Sequence, residues 1–140
     1  MGREPLTALQ AASAALERRD RSATDLAAYL GKKGFDEAEA REAIDRLAKA
    51  GYVSDERLAA LRAEQLAGRG HGDEAIRAEL VGRHLDRDAI EAAIQLLEPE
   101  ADRARAVVAS EGATSKVARR LSAKGFAEES IESALAGTPG

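Results

Sequence analysis

The sequence predicts an all-α protein made of three tandem three-helix units. Apolar residues recur at helical spacing along the chain, helix-starting and helix-ending residues alternate at short intervals, and no stretch shows sustained strand alternation. Within each unit the last two helices are joined by a very short turn and resemble a helix-turn-helix. Because tandem units of this kind contact only their neighbours, we expect an elongated, curved molecule.

The first unit is predicted to cover residues 1–51. Pro5 suits the first turn of its first helix, Ser22 and Asp36 suit the N-caps of the next two, and Gly51 suits a left-handed stop. The predicted apolar stripes of the three helices are Leu6, Leu9, Ser13 and Leu16; Leu26, Tyr29 and Leu30; and Ala40, Ile44, Leu47 and Ala48.

The pattern returns in a central unit, residues 52–98, and in a C-terminal unit, residues 99–140, whose tail is expected to fray. Ser54, Asp86 and either Thr114 or Ser115 are the predicted helix starts. The predicted stripes of these six helices are Leu58, Leu61 and Leu66; Ile76, Leu80 and Val81; Ile90, Ala93, Ile94 and Leu97; Ala104, Val107 and Val108; Val117 and Leu121; and Ile131 and Leu135.

Corresponding residues in the three units support a common plan. Each unit has a leucine, then a turn residue four positions later, then a large apolar residue expected to lie behind the turn. These residues are Leu30, Gly34 and Phe35; Leu80, His84 and Leu85; and Leu121, Gly125 and Phe126.

The segment of residues 51–59 joins the first two units. Ser54 is a predicted N-cap, and Asp55 lies in the first turn of the next helix, where the helix dipole favours negative charge. Tyr52 and Val53 have no local packing partner. Two interpretations of Tyr52 follow: a buried plug that fixes one unit onto the next, or a contact with a partner protein.

Composition argues against several classes of function. The net charge is −4, and residues 51–100 alone carry −5, whereas a protein that mainly grips phosphates is normally basic. Cysteine is absent, so no disulfide or thiolate metal site is expected. No apolar run approaches the roughly 20 residues that span a bilayer, and the N-terminus lacks a signal-peptide core. We therefore expect a cytoplasmic monomer.

No pattern of catalytic or cofactor-binding residues emerges. The glycine-rich segment 68–72 follows a helix instead of a strand and lacks the Lys-Ser or Lys-Thr pair of a phosphate-binding loop. His71 and His84 have no helical pairing that would favour a metal. No serine lies in a nucleophile-elbow context. We expect neither enzyme activity, nor a metal, nor a cofactor.

Two basic patches remain. They suit solvated cations near helix C-termini, or weak contacts with DNA or with an acidic protein surface. Since tryptophan is absent and other aromatics are few, a base-stacking platform is not expected. The patches are Arg18, Arg19, Arg21, Lys32 and Lys33 in the first unit, and Arg119, Arg120 and Lys124 in the last.

The ordered motifs resemble the RecX family of regulators. Residues 22–35 match SxxDLxxYLxxKGF, which is similar to the family's first repeat. Residues 47–59 match LxxxGYVxDExxA and resemble the linker into its central repeat, and residues 72–80 match GxxAIxxEL of that repeat. The resemblance runs in the same order over residues 6–135.

This resemblance implies a modulator of the RecA recombinase that lies in the groove of the nucleoprotein filament. It would restrain, and so inhibit, ATPase, strand-exchange and co-protease activities in recombination, DNA repair and the SOS response, with DNA contacted weakly or through the filament. The candidate partner contacts are Tyr52, Asp55, Glu56, Arg69, Arg77 and Arg83, and both basic patches are candidates for phosphate contact.

Two alternatives stay open: an autonomous helix-turn-helix DNA-binding protein and a helical adaptor for another protein. The would-be reading helices begin near Asp36, Asp86 and Glu128. Carboxylates at those helix ends would repel phosphates, which argues against the DNA-binding alternative.

Overall fold

The structure, a computed structural model, describes residues 6–137. Over that range the chain forms nine α-helices and no strand, as predicted. The prediction that Pro5 begins the first helix lies outside the described residues, and Thr7 caps that helix with Gln10 in a capping box. The helices are α1 (Ala8–Arg18), α2 (Ala23–Lys32), α3 (Glu37–Lys49), α4 (Asp55–Gly68), α5 (Asp73–Gly82), α6 (Arg87–Leu96), α7 (Glu100–Glu111), α8 (Ser115–Ala123) and α9 (Glu128–Ala136).

The helices pack in threes, and each group has its own hydrophobic core. Helices α1–α3, α4–α6 and α7–α9 form what we call the first, second and third units. In each unit the first helix packs on the third, and the short second helix packs beside them. The elongated outline and the domain boundaries at residues 51 and 98 stay predictions. No helix within residues 6–137 is long and apolar enough to cross a membrane.

Five helices end in the same left-handed turn, a Schellman motif. In the turn after α2, for example, the Phe35 N–H donates to the Leu30 carbonyl at 3.1 Å. The equivalence predicted from sequence is therefore visible in the main chain. The residue with positive φ in these turns is Gly34, Gly51, Gly70, His84 or Gly125. His84 adopts a φ of 61° despite its side chain, which costs about 1–2 kcal/mol.

Alanine forms most of the buried face of the first helix in the first two units, joined in α4 by the predicted Leu66. Ala12 and Ala15 of α1, like Ala59 and Ala63 of α4, are fully buried. Helical spacing alone does not choose between adjacent faces, and small side chains let two helix backbones approach closely. Several predicted stripe positions were therefore wrong: Leu6, Leu61 and Val81 are about half or more exposed, Ala48 is exposed, and Ser13 is only partly buried.

The prediction that Tyr52 plugs the first unit onto the second is wrong. Its side chain is 65% exposed, whereas that of Val53 is 6% exposed and belongs to the first core. The Tyr52 N–H donates to the Leu47 carbonyl at 2.8 Å as the closing bond of the turn at Gly51. This bond holds Tyr52 at the surface, so the next residue enters the core instead.

Candidate partner-binding surfaces

Three of the predicted cations gather on one aromatic ring in the first unit. Tyr29 of α2 has Arg21 Cζ at 4.8 Å, Lys33 Nζ at 5.5 Å and Arg18 Cζ at 6.0 Å from its ring centroid. Arg18 Nη2 also donates to the Tyr29 hydroxyl at 3.1 Å. None of the three cations pairs with a carboxylate in the described part of the chain. We call these four residues the Tyr29 cluster; its positive charge is available to an external anion.

The other two cations of this patch lie apart from the ring. Lys32 is exposed at the end of α2. Arg19 lines an open groove of about 490 Å³ between the first and second units. Arg62 and Arg83 reach the same groove from α4 and from the end of α5. The sequence patch therefore divides among the Tyr29 cluster, this groove, which Arg21 of the cluster also lines, and the exposed Lys32.

The basic patch of the third unit is less concentrated. Arg119 is exposed and forms no ion pair in the described structure, whereas Arg120 pairs with Glu111. The Lys124 carbonyl accepts a hydrogen bond from the Gly72 N–H at 2.8 Å, so its backbone lies against the second unit. Arg119 is consequently the most available cation of this patch.

Arg77 ties two helices of the second unit together. Its Nε donates to Glu91 Oε1 at 2.6 Å and its Nη2 to Glu91 Oε2 at 3.2 Å, and it also pairs with Glu74. The side-chain hydrogen bond that Arg77 donates to Glu91 raises the pKa of Arg77, and the same bond lowers the pKa of Glu91. The guanidinium is thus largely satisfied within the unit.

The remaining predicted contact residues differ in whether they already form hydrogen bonds or ion pairs within the chain. Arg83 pairs with Glu79 at 3.1 Å one turn earlier. Arg69 follows α4 and is exposed. Glu56 is exposed and accepts a 3.4 Å hydrogen bond from Ser54. Tyr52 lines a surface cleft of about 450 Å³ with Leu16 and Leu47 among its walls.

Asp55 uses both carboxylate oxygens inside the chain. Its Oδ1 accepts the Ala23 N–H at 2.9 Å, and its Oδ2 accepts the Asp86 N–H at 2.8 Å. Ala23 opens α2 of the first unit, and Asp86 caps α6 of the second. The carboxylate therefore links two helix N-termini across the boundary that we call the first joint. In our proposals Asp55 positions the units and is not a partner contact.

Glu100 repeats this arrangement between the second and third units. Its Oε2 accepts the Asp73 N–H at 2.6 Å, and its Oε1 accepts the Ala127 N–H at 3.0 Å. Asp73 opens α5, and Ala127 caps α9. Each partner occupies the same place in its unit as the partners of Asp55. We call this boundary the second joint.

The environment of Glu100 favours its ionised form. Burial raises the pKa of this carboxyl group, but the hydrogen bonds from Ser130, Ala127 and Asp73 and the positive charge of Arg103 outweigh burial and leave it below its ordinary value. An ionised acceptor between two helix N-termini is also favoured by both helix dipoles.

The sequence interpretation missed three residues of these surfaces. Tyr29 was assigned to a core stripe, and Glu100 and Arg103 were assigned no role. The available signal for Glu100 was positional, because it opens the first helix of its unit just as Asp55 does. No comparable signal marks Arg103, because its hydrogen-bond partners Asp73 and His71 belong to the neighbouring unit. Among the described residues, no group of three or more His, Cys, Asp or Glu is placed to hold a metal ion.

Comparisons with known proteins agree with this architecture. Residues 8–47 match the family model described as RecX, first three-helix domain. The chain is 35% identical to the regulatory protein RecX of Xanthomonas axonopodis pv. citri (strain 306), over 91% of this chain and 85% of that protein. The crystal structure of RecX from Lactobacillus salivarius shares the fold, with a TM-score of 0.78 and 18% identity over 92% of each chain.

Proposed function

The chain belongs to the RecX family of regulatory proteins, and on that premise we propose that it binds the RecA filament on single-stranded DNA and lowers its ATPase, strand-exchange and co-protease activities. The observation that carries the proposal is the similarity to a RecX regulator over nine-tenths of this chain. It would act in the cytoplasm as a monomer, in recombination, DNA repair and the SOS response, with neither a catalytic site nor a cofactor.

The distribution of charge supports two kinds of contact. The unpaired cations of the Tyr29 cluster, together with Arg119, suit the phosphates of the DNA inside a filament. Residues 51–100 carry −5 and suit a basic protein surface. Exposed Tyr52 at the rim of its cleft offers an aromatic partner contact between these regions.

The alternative of an autonomous helix-turn-helix protein has weaker support. Such a protein would place the N-terminus of a recognition helix in the major groove. Here Asp36 accepts an N–H of its own helix, and the N–H groups at the N-termini of α6 and α9 donate to the carboxylates of Asp55 and Glu100. Those helix ends are engaged by negative groups, which disfavours phosphate or base contact.

Titration into a RecA ATPase assay on single-stranded DNA tests the proposal. We expect turnover to fall at micromolar protein, and we expect binding to the filament to be much tighter than to free DNA. Unchanged turnover together with tight binding to duplex DNA would support the helix-turn-helix alternative. If the protein neither affects RecA nor binds DNA, the remaining hypothesis is a helical adaptor for another protein.

Charge reversal at exposed cations tests which surface meets the phosphates. Each lost single-strand phosphate contact should reduce the salt slope of filament binding by about 0.7. We expect this reduction for Lys33→Glu and for Arg119→Glu. Arg41→Glu is the matched control, because Arg41 is also exposed but already pairs with Glu37. Equal losses in all three variants would indicate a general charge effect instead of defined contacts.

A further inference from the structure

The two joints share one hydrogen-bond plan but differ in how closely the units meet. At the second joint the main chains touch: the Gly72 N–H donates to the Lys124 carbonyl at 2.8 Å, and the Glu74 N–H donates to the Gly125 carbonyl at 3.3 Å. A Cβ added at Gly72 would lie 2.4 Å from the Phe126 nitrogen, so this contact leaves no room for a side chain.

Arg103 adds a second set of ties to this joint. Its side chain is 11% exposed, and its Nη1 donates to Asp73 Oδ1 at 2.9 Å. Its Nη2 donates to the His71 carbonyl at 3.1 Å, and its Cζ lies 5.7 Å from the Phe126 ring centroid. Arg103 of α7, which is nearly buried, thus binds the segment at the start of α5 and lies near the ring of Phe126 in the turn before α9.

The first joint has side chains where the second has touching backbones. His84 takes the place of Gly125, and Asp25 takes the place of Ala75; His84 Nδ1 and Asp25 Oδ1 lie 2.7 Å apart. Both side chains are substantially exposed, at 62% and 42%. Leu58 takes the place of Arg103, and it lines the open groove of about 490 Å³.

No main-chain hydrogen bond joins the first two units within residues 6–137. Among the described residues, the polar ties across this boundary are the Ala23–Asp55 bond, the His84–Asp25 contact and a 3.0 Å bond from Arg57 Nη1 of α4 to the Gly51 carbonyl. Each of these ties depends on a side chain, and the His84–Asp25 and Arg57–Gly51 contacts are open to water. Few ties and exposed hydrogen bonds are properties of regions that open easily.

We propose that the molecule bends at the first joint while the second and third units move as one body, and that Asp55 is the residue that positions the first unit. Rotation there would change the angle of the Tyr29 cluster relative to the rest of the chain. The inference goes beyond the proposed function and concerns the free protein, so its test is independent of any RecA assay.

Distances between spin labels on the intact chain test the inference directly. The chain has no cysteine, so label pairs are introduced without background. Ala28→Cys with Glu64→Cys spans the first joint, and Glu64→Cys with Ser110→Cys spans the second; all three positions are exposed on helices. We expect a distance distribution about twofold wider across the first joint. Equal widths, or a wider second joint, would overturn the proposal.

Asp55→Asn isolates the positioning role. The amide keeps the size of the side chain but replaces one acceptor with a donor, so one of the two N–H groups loses its partner. We expect the first-joint distribution to broaden further while the second stays unchanged and helix content is retained. Glu56→Gln is the control, because that neighbouring carboxylate is exposed and lies outside the joint. An unchanged first joint in Asp55→Asn would remove the role assigned to this residue.

Gly72→Ala tests why the second joint is rigid. Gly72 has a φ of −83°, which alanine adopts without strain, so the substitution acts through the contact with the third unit. We expect the second-joint distribution to broaden or shift. Gly68→Ala is the control, because a Cβ there meets nothing within 4 Å. A second joint that stays narrow in Gly72→Ala would contradict the account of its closure.

Discussion

The turn at Gly51 selects which of two neighbouring apolar side chains enters the first core. Its φ is 85°, and the closing bond of the turn uses the Tyr52 N–H. Val53 follows, before α4, and packs among the first-unit residues. Size and aromaticity would have favoured Tyr52 for burial, but backbone geometry decides in favour of the smaller side chain.

Substitutions at these two positions should therefore have opposite effects. Val53→Ala should lower the free energy of unfolding by about 1–3 kcal/mol, because it removes buried methyl groups from a core. Tyr52→Ala should cost less than about 1 kcal/mol, since most of its ring is already in water. Urea denaturation measures both. A larger loss for Tyr52→Ala would restore the plug interpretation.

The equivalent turn glycines, Gly34 and Gly125, separate backbone strain from contact between units. Both have φ near +95°, at 99° and 93°. Alanine at Gly34 would meet nothing within 4 Å, whereas alanine at Gly125 would place its Cβ 2.6 Å from Ala75 Cβ. Gly34→Ala should cost about 1–2 kcal/mol of strain. Gly125→Ala should lower the free energy of unfolding by about 1–3 kcal/mol more than Gly34→Ala, because its methyl group also collides with Ala75. Equal decreases in the free energy of unfolding, measured in denaturant, would show that the second joint accommodates the extra methyl group without loss of stability.

The residues of the turns and caps were predictable because their geometry is local. Ser54, Asp36 and Thr114 accept the N–H three residues later, as N-cap side chains do. Tyr29 was not predictable as the centre of a cation cluster. Its partners come from the end of α1 and from both ends of α2, and only the folded chain brings them to one ring.

The N-terminus of α7 gives the second joint a defined dependence on pH. Since the pKa of Glu100 is lowered in the folded protein, its contribution to stability is fully present above its ordinary value of about 4.5. That contribution is lost as the pH falls through the lower folded pKa. The ionised carboxylate accepts both N–H groups, and protonation weakens these bonds.

Comparison of the wild type with Glu100→Gln isolates this contribution. Between pH 5 and pH 3 the denaturation midpoint of the wild type should fall more steeply than that of the variant, because the variant lacks the titrating group. Glu98→Gln, an exposed substitution two residues earlier, should keep the wild-type slope. Parallel pH profiles for all three proteins would contradict the role of Glu100.

Helix positions were predicted well, but helix faces and helix ends less so. In α1 and α4 the predicted buried face was placed on leucines at helical spacing. The residues that pack on the third helix of the unit are mainly alanines. Asp55 fits the local pattern of a helix start, so its sequence context gave no sign that it also binds the first unit through the Ala23 N–H. Both errors arise because a neighbouring element, absent from any local window, selects the face or the partner.

We expect an elongated outline because the units share few contacts. Each core is closed within its own three helices. Small-angle scattering should therefore give a radius of gyration above that of a compact globule of the same length, about 2.2·N^0.38 Å. We also expect a monomer. A radius at the compact value would contradict the elongated, curved arrangement.

The carboxylate link recurs at both joints although their other contacts differ. At its start the second unit has Asp55, which accepts an N–H of the unit before it, and its Asp73 N–H donates to Glu100 of the unit after it. Two consecutive copies of it could therefore meet through the same carboxylate link. α1 begins at Ala8, where the later units have a carboxylate, so this array has a distinct leading end. Gene duplication could lengthen such a chain one unit at a time while keeping this link.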